Sequence, residues 1–154
     1  MSLDNWIHFV HILGGIVWVG GGVTLLLIGA RARTSSDPNA IPEFARTLRY
    51  VGLRALTPAV IVVLITGVWL VLDSAAWRFS QLWVILALAL FGLAFLIGAV
   101  FLSRVVIQME RAVGTGASGA ADGAALVSRW MLGYGMILVI LLVALWDMVF
   151  KPGL

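Results

Sequence analysis

Apolar residues dominate four stretches of the chain, at positions 6–30, 58–72, 82–107 and 130–150, and polar or small residues fill the connections between them. A helix rises about 1.5 Å per residue, so about 20 apolar residues cross a hydrocarbon core about 30 Å thick. The pattern therefore predicts four spans within a single domain over residues 1–154. The expected fold is an all-α integral membrane protein, an up-down-up-down four-transmembrane-helix bundle.

The connections carry patterns of their own. The first, residues 32–57, opens on a loop, Thr34-Ser35-Ser36-Asp37-Pro38, and Pro42 then suits a first helical turn. Phe44, Leu48, Val51 and Ala55 follow as one apolar stripe, with Arg46 and Arg49 off it. That spacing predicts a short basic amphipathic helix, lying on the inner membrane surface or extending the second span. The connection 72–81 is short and is expected to join antiparallel neighbours. The segment 114–125, GTGASGAADGAA, reads as a flexible link. Ala94 and Gly98 in the third run, and Gly14 and Gly21 in the first, predict close helix approach. The run Gly20-Gly21-Gly22 allows a bend, or a flat group against the backbone, with close packing the simpler reading.

Composition agrees with a membrane solvent: 62% of the 154 residues are hydrophobic and mean hydropathy is +1.10. There is no cysteine, which excludes thiol catalysis, thiolate metal sites and iron–sulfur clusters. The net charge of +3 does not indicate nucleic acid, because the basic residues are distributed by topology. Arg31, Arg33, Arg46, Arg49 and Arg54 belong to the first connection, and Arg104, Arg111 and Arg129 flank the third. Only Arg78 and Lys151 fall on the other side. The positive-inside bias then puts both termini outside. Asp4, rather than a lysine or arginine, precedes the first run, which is longer than a signal-peptide core; it is expected to remain as an anchor. In this topology Trp6, Trp69, Trp77, Trp83 and Trp146 form an outer aromatic belt, Trp130 marks the inner interface and Trp18 lies mid-membrane.

Polar groups inside a membrane are costly and therefore candidates for function. His8 and His11 are the chain's two histidines and share a face of the first span. His8 sits near the interface, where water can solvate it. His11 lies one turn deeper and is a candidate ligand or structural hydrogen-bonding group. Its face continues through Gly15, Trp18 and Gly22, which would either line a slot for a flat apolar molecule or make a tight helix contact. Asp147, near the end of the fourth run, has Lys151 one turn on as its simplest partner. The alternative role for Asp147 is to orient a histidine by accepting its second ring proton. No acidic residue lies mid-span, which argues against a cation-coupled exporter. HxxH without a third ligand is a weak metal motif.

The string His11-Ile-Leu-Gly-Gly-Ile-Val-Trp18-Val-Gly-Gly resembles the first-helix signature of a superfamily of small bacterial membrane proteins. Its members include the haem-containing protoporphyrinogen oxidase, the copper-resistance protein D membrane domain and predicted integral membrane proteins of unknown function. Arg46-Thr-Leu-Arg49, Leu56-Thr-Pro58-Ala and Gly67-Val-Trp69-Leu are similar to that superfamily's second helix and its approach, and Lys151-Pro152 to its ending. The resemblance implies haem b held by His11 near the outer face, serving electron transfer or haem and porphyrin handling. Met148 or a second subunit would supply a sixth ligand, unless the iron stays five-coordinate. The chain departs from the oxidase: its third helix, opening Gln81-Leu-Trp83, lacks that enzyme's essential lysine, and its fourth, Arg129-Trp-Met-Leu-Gly-Tyr134, lacks the Asn-Glu pair. The resemblance is therefore closest to the branch of unknown function. It implies a bacterial cytoplasmic (inner) membrane, with the lipid bilayer and a homodimer or membrane-protein partner as contacts. The rival expectation is a cofactor-free accessory subunit, small-solute permease or copper-handling membrane protein.

Overall fold

The computed structural model describes residues 3–115 and 120–153. Helix α1 runs over Leu3–Thr34. Helix α2, Ala40–Val51, passes through a π-helical segment, Gly52–Leu56, into α3, Thr57–Asp73. Helix α4, Leu82–Leu96, passes through a second π-helical segment, Ile97–Leu102, into α5, Ser103–Thr115, and α6 covers Ala120–Phe150. Four continuous helices long and apolar enough to cross a membrane result: Leu3–Thr34, Ala40–Asp73, Leu82–Ala112 and Asp122–Phe150. The described residues contain no strand. The all-α four-helix membrane bundle is thus the observed fold. The glycine-rich link expected at 114–125 is shorter than its composition implies, because α6 already begins at Ala120; residues 116–119 lie outside the described residues.

Each long helix is about 45–50 Å at 1.5 Å per residue, more than the hydrocarbon core requires. The excess lies at the arginine-rich end. There α2 packs on α1 and α5, and α5 on α6. The amphipathic stripe of α2 therefore faces protein: Phe44, Ala45 and Leu48 are all buried. Of the two expectations for this segment, the extension of the second span is the one observed.

Both π-helical segments have a local cause. Pro58 has no N–H to return to Arg54, and its ring crowds that carbonyl, so the preceding turn widens. The Thr57 N–H reaches back to the Gly52 carbonyl, and the Thr57 hydroxyl donates to the same oxygen at 2.8 Å. In the third span the Ser103 N–H reaches the Gly98 carbonyl and the Ser103 hydroxyl donates to the Ala99 carbonyl. Hydroxyls that bond back to the helix backbone commonly accompany bends.

In space the membrane helices run in the order α3, α1, α6, α4: α1 packs on both α3 and α6, and α6 on α4. The backbones of consecutive helices α3 and α4 stand apart, and the two meet through side chains at the end near their connection, where Val71 clusters with Trp83 and Val84. The short connection thus joins antiparallel helices whose backbones leave a gap between them over the rest of their length. Residues of the connection fold over the adjacent mouth of that gap. Gln81 Oε1 accepts from the Arg78 N–H at 3.1 Å and from Trp83 Nε1 at 3.2 Å. The Trp77 and Trp83 rings meet edge to face at 5.4 Å.

Lipid-facing and buried aromatics separate clearly. Trp6 (53% exposed), Trp69 (47%) and Trp146 (53%) lie exposed toward the end of the bundle that carries the termini. Trp83 (6%) and Trp130 (3%) are interior instead. A row of rings crosses the bundle: Phe44 edge-on to Trp130 at 5.6 Å, Trp130 stacked on Tyr134 at 5.1 Å, and Trp18 edge-on to Phe91 at 5.7 Å. Between helices already in lipid, shape-complementary contact of this kind holds the bundle together, because lipid tails are as apolar as the side chains.

Candidate functional site

His11 lies on the buried stripe of α1 that includes Gly14, Trp18 and Gly22, and it meets α3. Its Nδ1 is 2.9 Å from the Thr66 hydroxyl oxygen. That hydroxyl already donates its proton to the Val62 carbonyl at 2.6 Å. Toward His11 the oxygen therefore accepts, and Nδ1 carries the ring proton. In the neutral imidazole Nε2 is then left with a bare lone pair. Gly67 makes room for the ring: a Cβ there would lie 3.0 Å from His11 Cε1. Gly14 sets the helix spacing one turn deeper, where a Cβ would be 2.9 Å from Val63 Cγ2.

The imidazole lines a cavity of about 130 Å³ in the half of the gap between α3 and α4 nearest their connection. The walls are apolar: Val63, Val68, Val84, Ala87 and Phe91, with Met148 from α6. Trp77 and Phe79 from the connection close the top. Lys151, in a left-handed conformation with φ of 44°, sets its Nζ 4.4 Å from the centre of the Trp77 ring and 5.5 Å from that of Trp83. This cation–π roof uses the lysine expected to pair with Asp147.

The remaining sequence-derived candidates do not all converge on His11. His8 is exposed and touches the roof, its ring 5.9 Å from that of Trp77. Gly15 is open, with nothing within 4 Å of a built Cβ. Trp18 is buried against Phe91. Gly22 is filled by the protein itself, since a Cβ there would fall inside the Tyr134 ring. The Tyr134 hydroxyl donates to the Trp18 carbonyl at 3.1 Å. On this face, therefore, the tight helix contact is what forms at Gly22. Asp147 is 1% exposed, and neither carboxylate oxygen has a hydrogen-bond partner among the described residues. Thr66, not Asp147, accepts the His11 ring proton. Among the described residues no group of three or more His, Asp or Glu could hold a metal ion.

Sequence reasoning missed Thr66, Gly67 and Tyr134. The first two carried a signal, a hydroxyl and a glycine side by side within an apolar span. Tyr134 carried none, because its partner lies 116 residues away.

No curated protein and no solved structure matches the chain. Residues 5–152 match the family described as "Predicted integral membrane protein (DUF2269)", and the chain belongs to that family.

Proposed function

We propose that this protein binds a small planar apolar molecule from the bilayer, held at its outer end against the bare Nε2 of His11. The observation that carries the proposal is the Thr66 contact, which fixes the ring proton on Nδ1. A bare lone pair on a ring that lines an apolar cavity invites a hydrogen-bond donor or a metal centre. The wide spacing of α3 and α4 supports entry from lipid between them, with the Trp77 and Lys151 roof above.

Haem b is the ligand that the family resemblance implies, for electron transfer or porphyrin handling. The donor chemistry suits it: an imidazole whose other nitrogen is held by the Thr66 hydroxyl, and a thioether at Met148. The space does not. Drug-sized ligands occupy about 300–1,000 Å³, whereas the cavity at His11 holds about 130 Å³. A porphyrin could seat there only after α3 and α4 had parted further. A single ring bearing a hydroxyl needs no such movement. The inner membrane, with both termini outside, is the orientation supported by the bias of the basic residues.

Two measurements on detergent-purified protein test this. A phenol titration should move the imidazole 15N resonances of His11 and leave those of His8 in place. A Soret band in protein from haem-sufficient cells, absent in His11→Ala, would identify haem as the ligand. A colourless protein whose His11 resonances ignore saturating phenol overturns the proposal. Copper(I) is a second candidate ligand, because His11 and Met148 line one cavity, and a soft thioether and an imidazole both bind copper. Metal analysis after loading under reducing conditions tests it.

A further inference from the structure

The inner half of the same gap holds a much larger cavity, of about 550 Å³. It is polar at one end only. Arg49, Glu110, Thr57 and Ser103 sit toward the arginine-rich end, and Trp18, Phe95, Ile61 and Ile137 line it toward mid-membrane. Both π-helical segments contribute walls, through Gly52 and Leu56 on one side and Gly98 and Leu102 on the other. The glycines whose carbonyls close the two wide turns, Gly52 and Gly98, thus flank one cavity. Neither is crowded: nothing lies within 4 Å of a Cβ at Gly52, and at Gly98 only Ile137 Cδ1 does, at 3.8 Å. Two separate segments widen at the same depth and leave space between them. Wide turns of this kind are rare and concentrate at functional sites.

Depth identifies the occupant's chemistry. About 20 residues in from the outer ends of α3 and α4, at Asp73 and Leu82, the hydrocarbon boundary falls near residues 53 and 102. Both π-helical segments reach that boundary. Arg49, Arg54 and Arg104 lie close to it in sequence. Arg49 is well exposed, and its contact with Glu110 is 3.4 Å. An exposed pair of that length is weak, whereas a phosphate takes a guanidinium through two oxygens. Glu110 is the one acidic side chain lining the cavity, among basic neighbours.

We infer that this groove binds an anionic phospholipid from the leaflet at the basic end, with an acyl chain between the π-helical segments and the phosphate at Arg49. Basic pockets between membrane helices recognise lipid headgroups in this way. The site is separate from the His11 cavity and stands or falls independently of any ligand there.

Native mass spectrometry of the full chain tests it, with equal amounts of dioleoylphosphatidylglycerol and dioleoylphosphatidylcholine added to the detergent. Wild-type protein should carry the anionic lipid over the zwitterionic one by about fivefold, the effect of one basic contact. Arg49→Gln should erase that preference. Gly98→Leu should remove both lipids, because its side chain would stand in the groove. Ala99→Leu is the second filling variant should the first unfold, with helicity and thermal midpoint as the folding control. Equal binding of the two lipids by wild-type protein, or undiminished binding in a folded filling variant, overturns the inference.

Discussion

Tyr134 occupies the volume that a side chain at Gly22 would need, and its hydroxyl is anchored to the Trp18 carbonyl 3.1 Å away. The contact locks α6 against α1 at mid-membrane. Gly22→Ala should therefore destabilise the bundle by about 1–3 kcal/mol, the range for overpacking a filled site. Gly15→Ala, on the same face but with open space around it, should be neutral or slightly stabilising, as alanine is the better helix former. Thermal unfolding in detergent, followed by circular dichroism, compares the two. Equal effects would refute the Tyr134 contact.

The tautomer of His11 is a second testable point. With Thr66 accepting, 15N spectra of the imidazole should show protonated Nδ1 and bare Nε2 at neutral pH. Thr66→Val removes the acceptor and should cost about 1 kcal/mol of stability, in line with interhelical hydrogen bonds in membranes. It should also release the preference for the Nδ1-protonated form. A resting ring protonated on Nε2 would remove the basis of the proposed function.

Asp147 offers a third. A buried carboxylate without a partner costs stability, and its uncharged isostere costs less. Asp147→Asn should leave the thermal midpoint unchanged or raise it. A clear loss of stability would show that the carboxylate has a partner beyond the described residues, such as a bound cation.

Orientation can be read by labelling. With both termini outside, a cysteine at Ser36, an exposed position in the first connection, should resist a membrane-impermeant maleimide in intact cells. One at Ser80, exposed in the outer connection, should react. The reverse pattern would invert the topology drawn from the basic residues.

Sequence alone determined the number of spans, the helical class and the membrane as solvent, because ~20-residue apolar runs have few other solutions in lipid. It also singled out His11, since an imidazole in an apolar run stands out without any knowledge of its neighbours. The helix order α3, α1, α6, α4, the gap between α3 and α4 and the two cavities in it were decided only by tertiary packing. Among uniformly apolar spans, hydrophobicity does not say which faces meet; local shape does, as where Gly14 admits Val63 and Gly22 admits Tyr134. The same reason separates the polar pairs from their sequence neighbours. Lys151 lies one turn from Asp147 yet sits over Trp77, and Thr66, 55 residues from His11, holds its ring. Spacing along one helix fixes which residues share a face, and contacts across helices then choose among them.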